Sequence, residues 1–134
     1  MLKLFAGPKG QGKTKKLIDL ANSTETEGYI IFIDSDRKNM HELNRDIRLV
    51  ETSEFPLATY REFLSFVYGM LSQNGDIKDV FIDSISTLVK NIDMEDTLKL
   101  TNKLEEISQI HRVNFFFSIH ANPDELPDEL KKFI

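Results

Sequence analysis

The chain switches between two hydrophobic periods, and the switches mark its elements. The apolar opening "MLKLFA" (Met1–Ala6) reads as a short buried strand. A glycine-rich turn from Gly7 to Gly12 follows. From Lys13 to about Asn22, Leu17, Ile18, Leu20 and Ala21 then fall on one face of a helix. "NSTETEG" (Asn22–Gly28) is polar and breaks it. "YIIFID" (Tyr29–Asp34) is a near-continuous apolar run, the pattern of a parallel strand covered on both faces. The polar stretch 35–46 has room for a short helix, and "IRLVET" (Ile47–Thr52) alternates weakly, as an edge strand does. Pro56 is placed to open a helix at its first position. Along that helix Tyr60, Phe63, Leu64, Val67 and Leu71 recur at helical spacing until "SQNGD" (Ser72–Asp76) ends it. "DVFID" (Asp79–Asp83) is the next buried strand. Asp93 is placed to cap a helix over Met94–Arg112, with Leu100, Leu104 and Ile107 on one stripe. "VNFFFSIH" (Val113–His120) is the last clear strand, and the acidic, proline-broken tail has room for one short helix.

Strands alternating with helices predict an α/β fold: a parallel sheet between two layers of helices, in a single domain over residues 1–134. No repeat and no linker interrupts it. In such sheets ligands bind at the carboxyl ends of the strands. Chemically useful residues are therefore expected just after each strand.

Composition narrows the function classes. The 134 residues are 40% hydrophobic and 29% charged, an ordinary globular mix. The absence of cysteine excludes disulfides and thiolate metal sites. A net charge of −5 argues against non-specific nucleic-acid binding by the isolated chain. No apolar run is long enough for a membrane span, and the start lacks the apolar segment of a signal peptide. The stretch before Gly7 is too short for a targeting segment, so the mature chain is expected to begin here and to be cytoplasmic.

"GPKGQGKT" sits between the first strand and the first helix. Gly7, Gly12, Lys13 and Thr14 fit the spacing of a phosphate-binding loop. Such a loop must aim consecutive backbone N–H groups inward as an anion nest. Side chains at Gly10 or Gly12 would crowd that nest, and glycine tolerates positive φ there. The helix that starts near Lys13 adds its positive dipole end. The expected nucleotide contacts run from Gly7 through Pro8, Lys9, Gly10, Gln11, Gly12, Lys13 and Thr14 to Lys15. Lys13 would reach the β- and γ-phosphates, and the Thr14 hydroxyl would ligate Mg²⁺. Asp83, just past an apolar strand, is the second expected magnesium residue. Ser84 follows it, so a water-activating glutamate is absent from that position.

"GPKGQGKT", "YIIFIDSD" and "DVFIDSIS", in this order and spacing, resemble the RecA-type branch of P-loop ATPases, from Met1 to about His120. That family has a GPxxxGKT loop, a second core strand ending in a water-activating carboxylate, and a Walker B strand ending in Asp-Ser. The resemblance implies ATP and Mg²⁺ as ligands and ATP hydrolysis linked to DNA metabolism. It places Asp36 at the water-activating position, one methylene shorter than the family's glutamate, with Asp34 as the rival. It places His120 where the family has a polar γ-phosphate sensor, with Ser118 nearby. Family members usually continue past this strand with a fifth strand, DNA-binding loops and a basic finger. Here 14 residues follow His120, and Lys131 and Lys132 are their only basic residues. The core is thus shortened at its C-terminus, and a homo-oligomer or a protein partner is expected to complete the site.

Each assignment has a plainer rival. Asp36 could be a turn carboxylate and His120 a strand-edge cap. Phe115–Phe117 reads as a buried strand rather than a base-stacking platform. His111 suits the end of a helix, and His41 carries no signal. Arg37, Lys38, Arg45 and Arg48 read first as a solvated helix face. Three functions fit: a RecA-like ATPase with slow or partner-dependent turnover, a non-hydrolysing ATP-sensing module, and a small nucleoside or nucleotide kinase. No lid-like insertion supports the kinase.

Overall fold

One sheet organises the computed structural model, which describes residues 1–134. Its strands are β1 (Leu2–Gly7), β2 (Tyr29–Asp34), β3 (Ile47–Glu51), β4 (Ile77–Ile82) and β5 (Asn114–His120). They lie in the order β1-β5-β4-β2-β3, and every neighbouring pair is parallel. Parallel neighbours need long crossovers. Most of these carry helices: α1 (Lys13–Ser23), α2 (Tyr60–Gln73), the four-residue α3 (Ile85–Leu88) and α4 (Met94–His111). The weakly alternating segment 47–51 is an edge strand, as its pattern predicts.

The pleat divides the apolar residues between two cores. Ile31, Ile33, Val80, Ile82, Phe115 and Phe117 pack under α2 and α4. Ile30, Phe32, Phe81 and Phe116 pack under Leu17, Ile18 and Ala21 of α1. On this second face the rings of Phe116 and Phe81 stack at 4.6 Å, and those of Phe81 and Phe32 at 6.3 Å. Each such buried ring contributes roughly 1.5–3 kcal/mol. The "FFF" run is therefore core, with Phe115 and Phe117 fully buried.

Side chains two residues apart on a strand share a face. Asp34 follows Phe32, Asp83 follows Phe81, and Ser118 and His120 follow Phe116 at the same parity. All four consequently stand on the α1 face, at the carboxyl ends of their strands.

Several boundaries differ from expectation. Pro56 does not open α2. A turn precedes it, Leu57 bridges Val89, and the carbonyls of Leu57 and Ala58 accept from the N–H groups of Lys90 and Asn91. The helix starts at Tyr60, where the Thr59 side chain accepts from Glu62 N. Strand β4 begins at Ile77, two residues before Asp79, whose buried carboxylate accepts from Asn114 Nδ2 at 3.0 Å. Polar stretch 35–46 holds only a 3-10 turn at Met40–Glu42, not a solvated helix face. The tail forms a 3-10 turn at Pro123–Glu125 and the short helix α5 (Asp128–Lys131), and Phe133 O accepts from Leu4 N at the outer edge of β1. Asp93 caps α4 as expected, with Asp96 completing a capping box. No helix is long and apolar enough to cross a membrane.

Candidate nucleotide site

The loop after β1 has the backbone that its glycines allow. Gly10 has φ 89° and Gly12 φ 76°, both left-handed. An added Cβ at either would meet no protein atom within 4 Å, so within the protein it is backbone conformation that selects glycine here. Gly12 leads directly into α1, which has no acidic residue in its first turn. The N–H groups and dipole of that turn therefore have no carboxylate of the helix's own first turn competing for them.

Lys13 is buried, and its Nζ donates to the loop's own carbonyls, Gly7 O at 2.6 Å and Pro8 O at 2.8 Å. Burial lowers its pKa, and the charge of Asp83 partly offsets the effect. Next to it, Thr14 Oγ1 donates to Asp83 at 3.1 Å from Oδ1 and 3.0 Å from Oδ2. These two residues belong to elements 69 positions apart, and β5 separates their strands in the sheet. That intervening strand joins the contact: fully buried Ser118 donates from Oγ to Asp83 Oδ1 at 3.2 Å and accepts from Ser84 N at 2.7 Å.

His120 does not meet Asp83 or Asp36 in a hydrogen bond. Its Nε2 lies 2.8 Å from Ser84 Oγ, which is also 2.8 Å from Thr87 Oγ1. Burial lowers its pKa, with Lys13 and Lys9 adding to the shift and Asp83 opposing it. Ser84 holds a left-handed backbone at φ 58°, one of two non-glycine residues with positive φ.

The two aspartates after β2 differ sharply. Asp34 is buried, on the strand next to that of Asp83, and Asp83 N donates to Ile33 O at 3.0 Å. Its Oδ1 accepts from Ser35 N at 2.7 Å and its Oδ2 from Asn39 Nδ2 at 3.3 Å. Burial pushes its pKa up; the Ser35 and Asn39 bonds oppose this, and Asp83 and Asp36 add to it. Asp36 is half-buried, and its Oδ1 accepts from Lys38 N at 3.0 Å, an Asx turn.

Except for the buried Ser118, the side chains described above border one cavity of about 530 Å³. Its walls include Lys9, Gly10, Gly12, Lys13, Thr14 and Lys15 from the loop and α1, Asp34 from the end of β2, Asp36 from the turn after it, Asp83, and His120. Gly7, Pro8 and Gln11, expected among the nucleotide contacts, do not line it. Lys15 also pairs with Asp19 at 3.5 Å on the exposed face of α1. Ser118, expected only as a neighbour of His120, takes part through Asp83 and Ser84, and Asn39 and Thr87 join it. Asn39 and Thr87 had no signal beyond their nearness to strand ends. Of the basic residues after β2, Arg37 pairs with Glu51 at 2.7 Å and Arg48 lies 3.8 Å over the Tyr29 ring. Lys38 faces the cavity.

No protein-family model and no curated protein matches the sequence. Solved structures do match. The crystal structure of a KaiC-like protein from the hyperthermophilic archaeon Pyrococcus horikoshii OT3 superposes with a TM-score of 0.64. The match covers 98% of this chain and 66% of that one, at 18% identity. The chain thus shares the α/β fold of that KaiC-like neighbour and spans about 66% of its length.

Proposed function

We propose that the chain binds a magnesium–nucleoside triphosphate, with ATP as the reference ligand, and hydrolyses it slowly or only with a partner. The observation that carries this reading is the paired cradle and acid: a left-handed Gly10/Gly12 loop on the N-terminus of α1, with Thr14 bonded to Asp83 across the cavity. The donor set suits the ligand. The loop N–H groups and Lys13 take phosphate oxygens once Nζ leaves the Gly7 and Pro8 carbonyls. The Thr14 hydroxyl and the Asp83 carboxylate are hard oxygen donors of the kind magnesium accepts. Bound there, the metal would supply charge neutralisation at the β- and γ-phosphates.

Hydrolysis asks for a carboxylate that orients water. Asp36 stands at the position the family resemblance favours, yet its Oδ1 is engaged by its own turn. Asp34 is the better placed of the two: buried, on the α1 face, beside Asp83 and held by Asn39. His120, anchored by Ser84 at the opposite wall, is suited to respond to the terminal phosphate. The fold likeness to a KaiC-like protein supports a nucleotide-handling role at the level of architecture.

The engagement of Asp36 also favours a second reading, a sensor that binds the nucleotide and cleaves little of it. A titration with a non-hydrolysable ATP analogue, with and without Mg²⁺, tests binding. Steady-state phosphate release, with and without single-stranded DNA, then separates the two readings. Magnesium-dependent binding with release abolished by Lys13→Ala and Asp34→Asn is expected for the enzyme. Tight binding without release under every condition leaves the sensor, and no binding rejects both.

A further inference from the structure

We infer that this site recognises the magnesium–triphosphate and not the base, so the isolated chain takes purine and pyrimidine nucleoside triphosphates alike; the inference rests on the binding reading above. Small-molecule pockets are ordinarily lined mostly by apolar and aromatic side chains, with a few polar groups for orientation. This cavity reverses the proportion. Of its 17 lining residues one is hydrophobic, Ile18, and that side chain is itself buried against the sheet.

No Phe or Tyr of the chain lines this cavity. Phe32, Phe81 and Phe116 stack on one another beneath α1. Tyr29 is at the opposite end of β2 under Arg48. Phe5 borders a separate groove with Lys3 and Leu20. A base leaving the phosphate cradle therefore meets no Phe, Tyr or Trp ring to stack on, and His120 is the one ring in the wall, held by Ser84. Stacking of a base on an aromatic ring is worth about 1–3 kcal/mol, and a site without it forgoes that term for every base.

What the cavity offers instead is charge. Lys9, Lys13, Lys15 and Lys38 line it together with the acids Asp34, Asp36, Glu42 and Asp83. Four ammonium groups and the loop N–H groups answer a polyphosphate, and the Thr14–Asp83 pair answers its metal. These contacts are common to all nucleoside triphosphates and to inorganic tripolyphosphate.

The experiment is a set of calorimetric titrations of the full chain in Mg²⁺ buffer. The ligands are the non-hydrolysable imido analogues of ATP and GTP, CTP, inorganic tripolyphosphate, and adenosine as the base-only control. The three nucleotides and tripolyphosphate are expected to bind within about threefold of one another, with no heat from adenosine. Lys13→Ala is expected to weaken all four by the same factor. An ATP analogue that binds more than about tenfold tighter than the GTP analogue and tripolyphosphate overturns the inference while leaving the nucleotide site intact. Failure of every ligand to bind overturns the site itself and this inference with it.

Discussion

Thr14 Oγ1 donates to both carboxylate oxygens of Asp83, at 3.1 and 3.0 Å, and so ties the first turn of α1 to the end of β4 across an intervening strand. The contact holds two oxygen donors side by side at the mouth of the phosphate loop. Thr14→Ala removes one donor and leaves Asp83 with Ser118 alone. Nucleotide affinity in Mg²⁺ should fall about tenfold or more, while affinity in EDTA should hardly change. Thr14→Ser keeps the hydroxyl and should restore the magnesium effect. Titrations with a non-hydrolysable analogue in both buffers check this; an equal loss with and without metal would count against a magnesium role for Thr14.

Asp34 is expected to lower the stability of the ligand-free protein at neutral pH. Its pKa is raised above the ordinary 3.8, mainly by burial. The folded state therefore binds a proton more readily than the unfolded state, and stability is lost as pH rises from the unfolded value through the folded one. Asp34→Asn removes that cost at some loss of hydrogen bonding. The variant should melt a few degrees above the parent at pH 7, and the gap should close as pH approaches 4. Phosphate release, where the parent shows it, should fall in the same variant. Thermal melts across the range decide it: a variant less stable than the parent at pH 7 would show that the Ser35 and Asn39 bonds outweigh burial.

Much of this site was legible because its residues follow strands whose pattern is unambiguous. "YIIFID" is buried on both faces, so its end, Asp34, could be placed at the carboxyl edge of the sheet from sequence alone. The same held for Asp83 and His120, and the glycine spacing located the left-handed loop before α1. What sequence could not supply was strand order. That β5 inserts between β1 and β4 is a long-range fact, and it is what brings Ser118 onto Asp83. Local competition also misled: Pro56 looked like a helix opener, but Thr59 offers a better cap and the backbone before it is engaged by residues 89–91. Asp36 and Asp34 are two residues apart and equivalent on an ideal strand. The turn that starts at Ser35 separates them, and nothing in "DSDRKN" announces its geometry.

Ser118 holds the strand ends in register through one hydroxyl. It accepts from Ser84 N and donates to Asp83, and it is fully buried. Ser118→Ala leaves a buried N–H without its partner, at a cost of about 1–3 kcal/mol. Chemical denaturation should show that loss with an unchanged slope, since the surface exposed on unfolding does not change. Ser118→Thr keeps the hydroxyl and is expected to retain more of the stability than the alanine variant. A loss well under 1 kcal/mol for alanine would mean that Ser84 N finds another acceptor.

Ser84 combines backbone strain with a side-chain anchor, and the two can be separated. Its left-handed backbone, φ 58° and ψ 84°, costs an L-residue about 1–2 kcal/mol relative to glycine. Its hydroxyl meanwhile holds His120 Nε2. Ser84→Ala keeps the strain and loses the anchor; Ser84→Gly loses both. The glycine variant should therefore be more stable than the alanine variant by about 1 kcal/mol, offset in part by the greater freedom of glycine in the unfolded chain. In both, His120, an exposed residue, loses the hydroxyl that holds its ring near Lys13 and Lys9, and its lowered pKa should climb back towards 6.5. The sign follows from linkage. With the pKa depressed in the folded state, the unfolded chain binds the proton first, so the parent loses stability as pH falls below 6.5. That acid-side loss should be shallower in both variants. Proton NMR titration of the His120 ring, with denaturation at pH 7 and pH 5, reads all three effects. An unmoved His120 pKa in the alanine variant would show that Ser84 does not hold the ring in place.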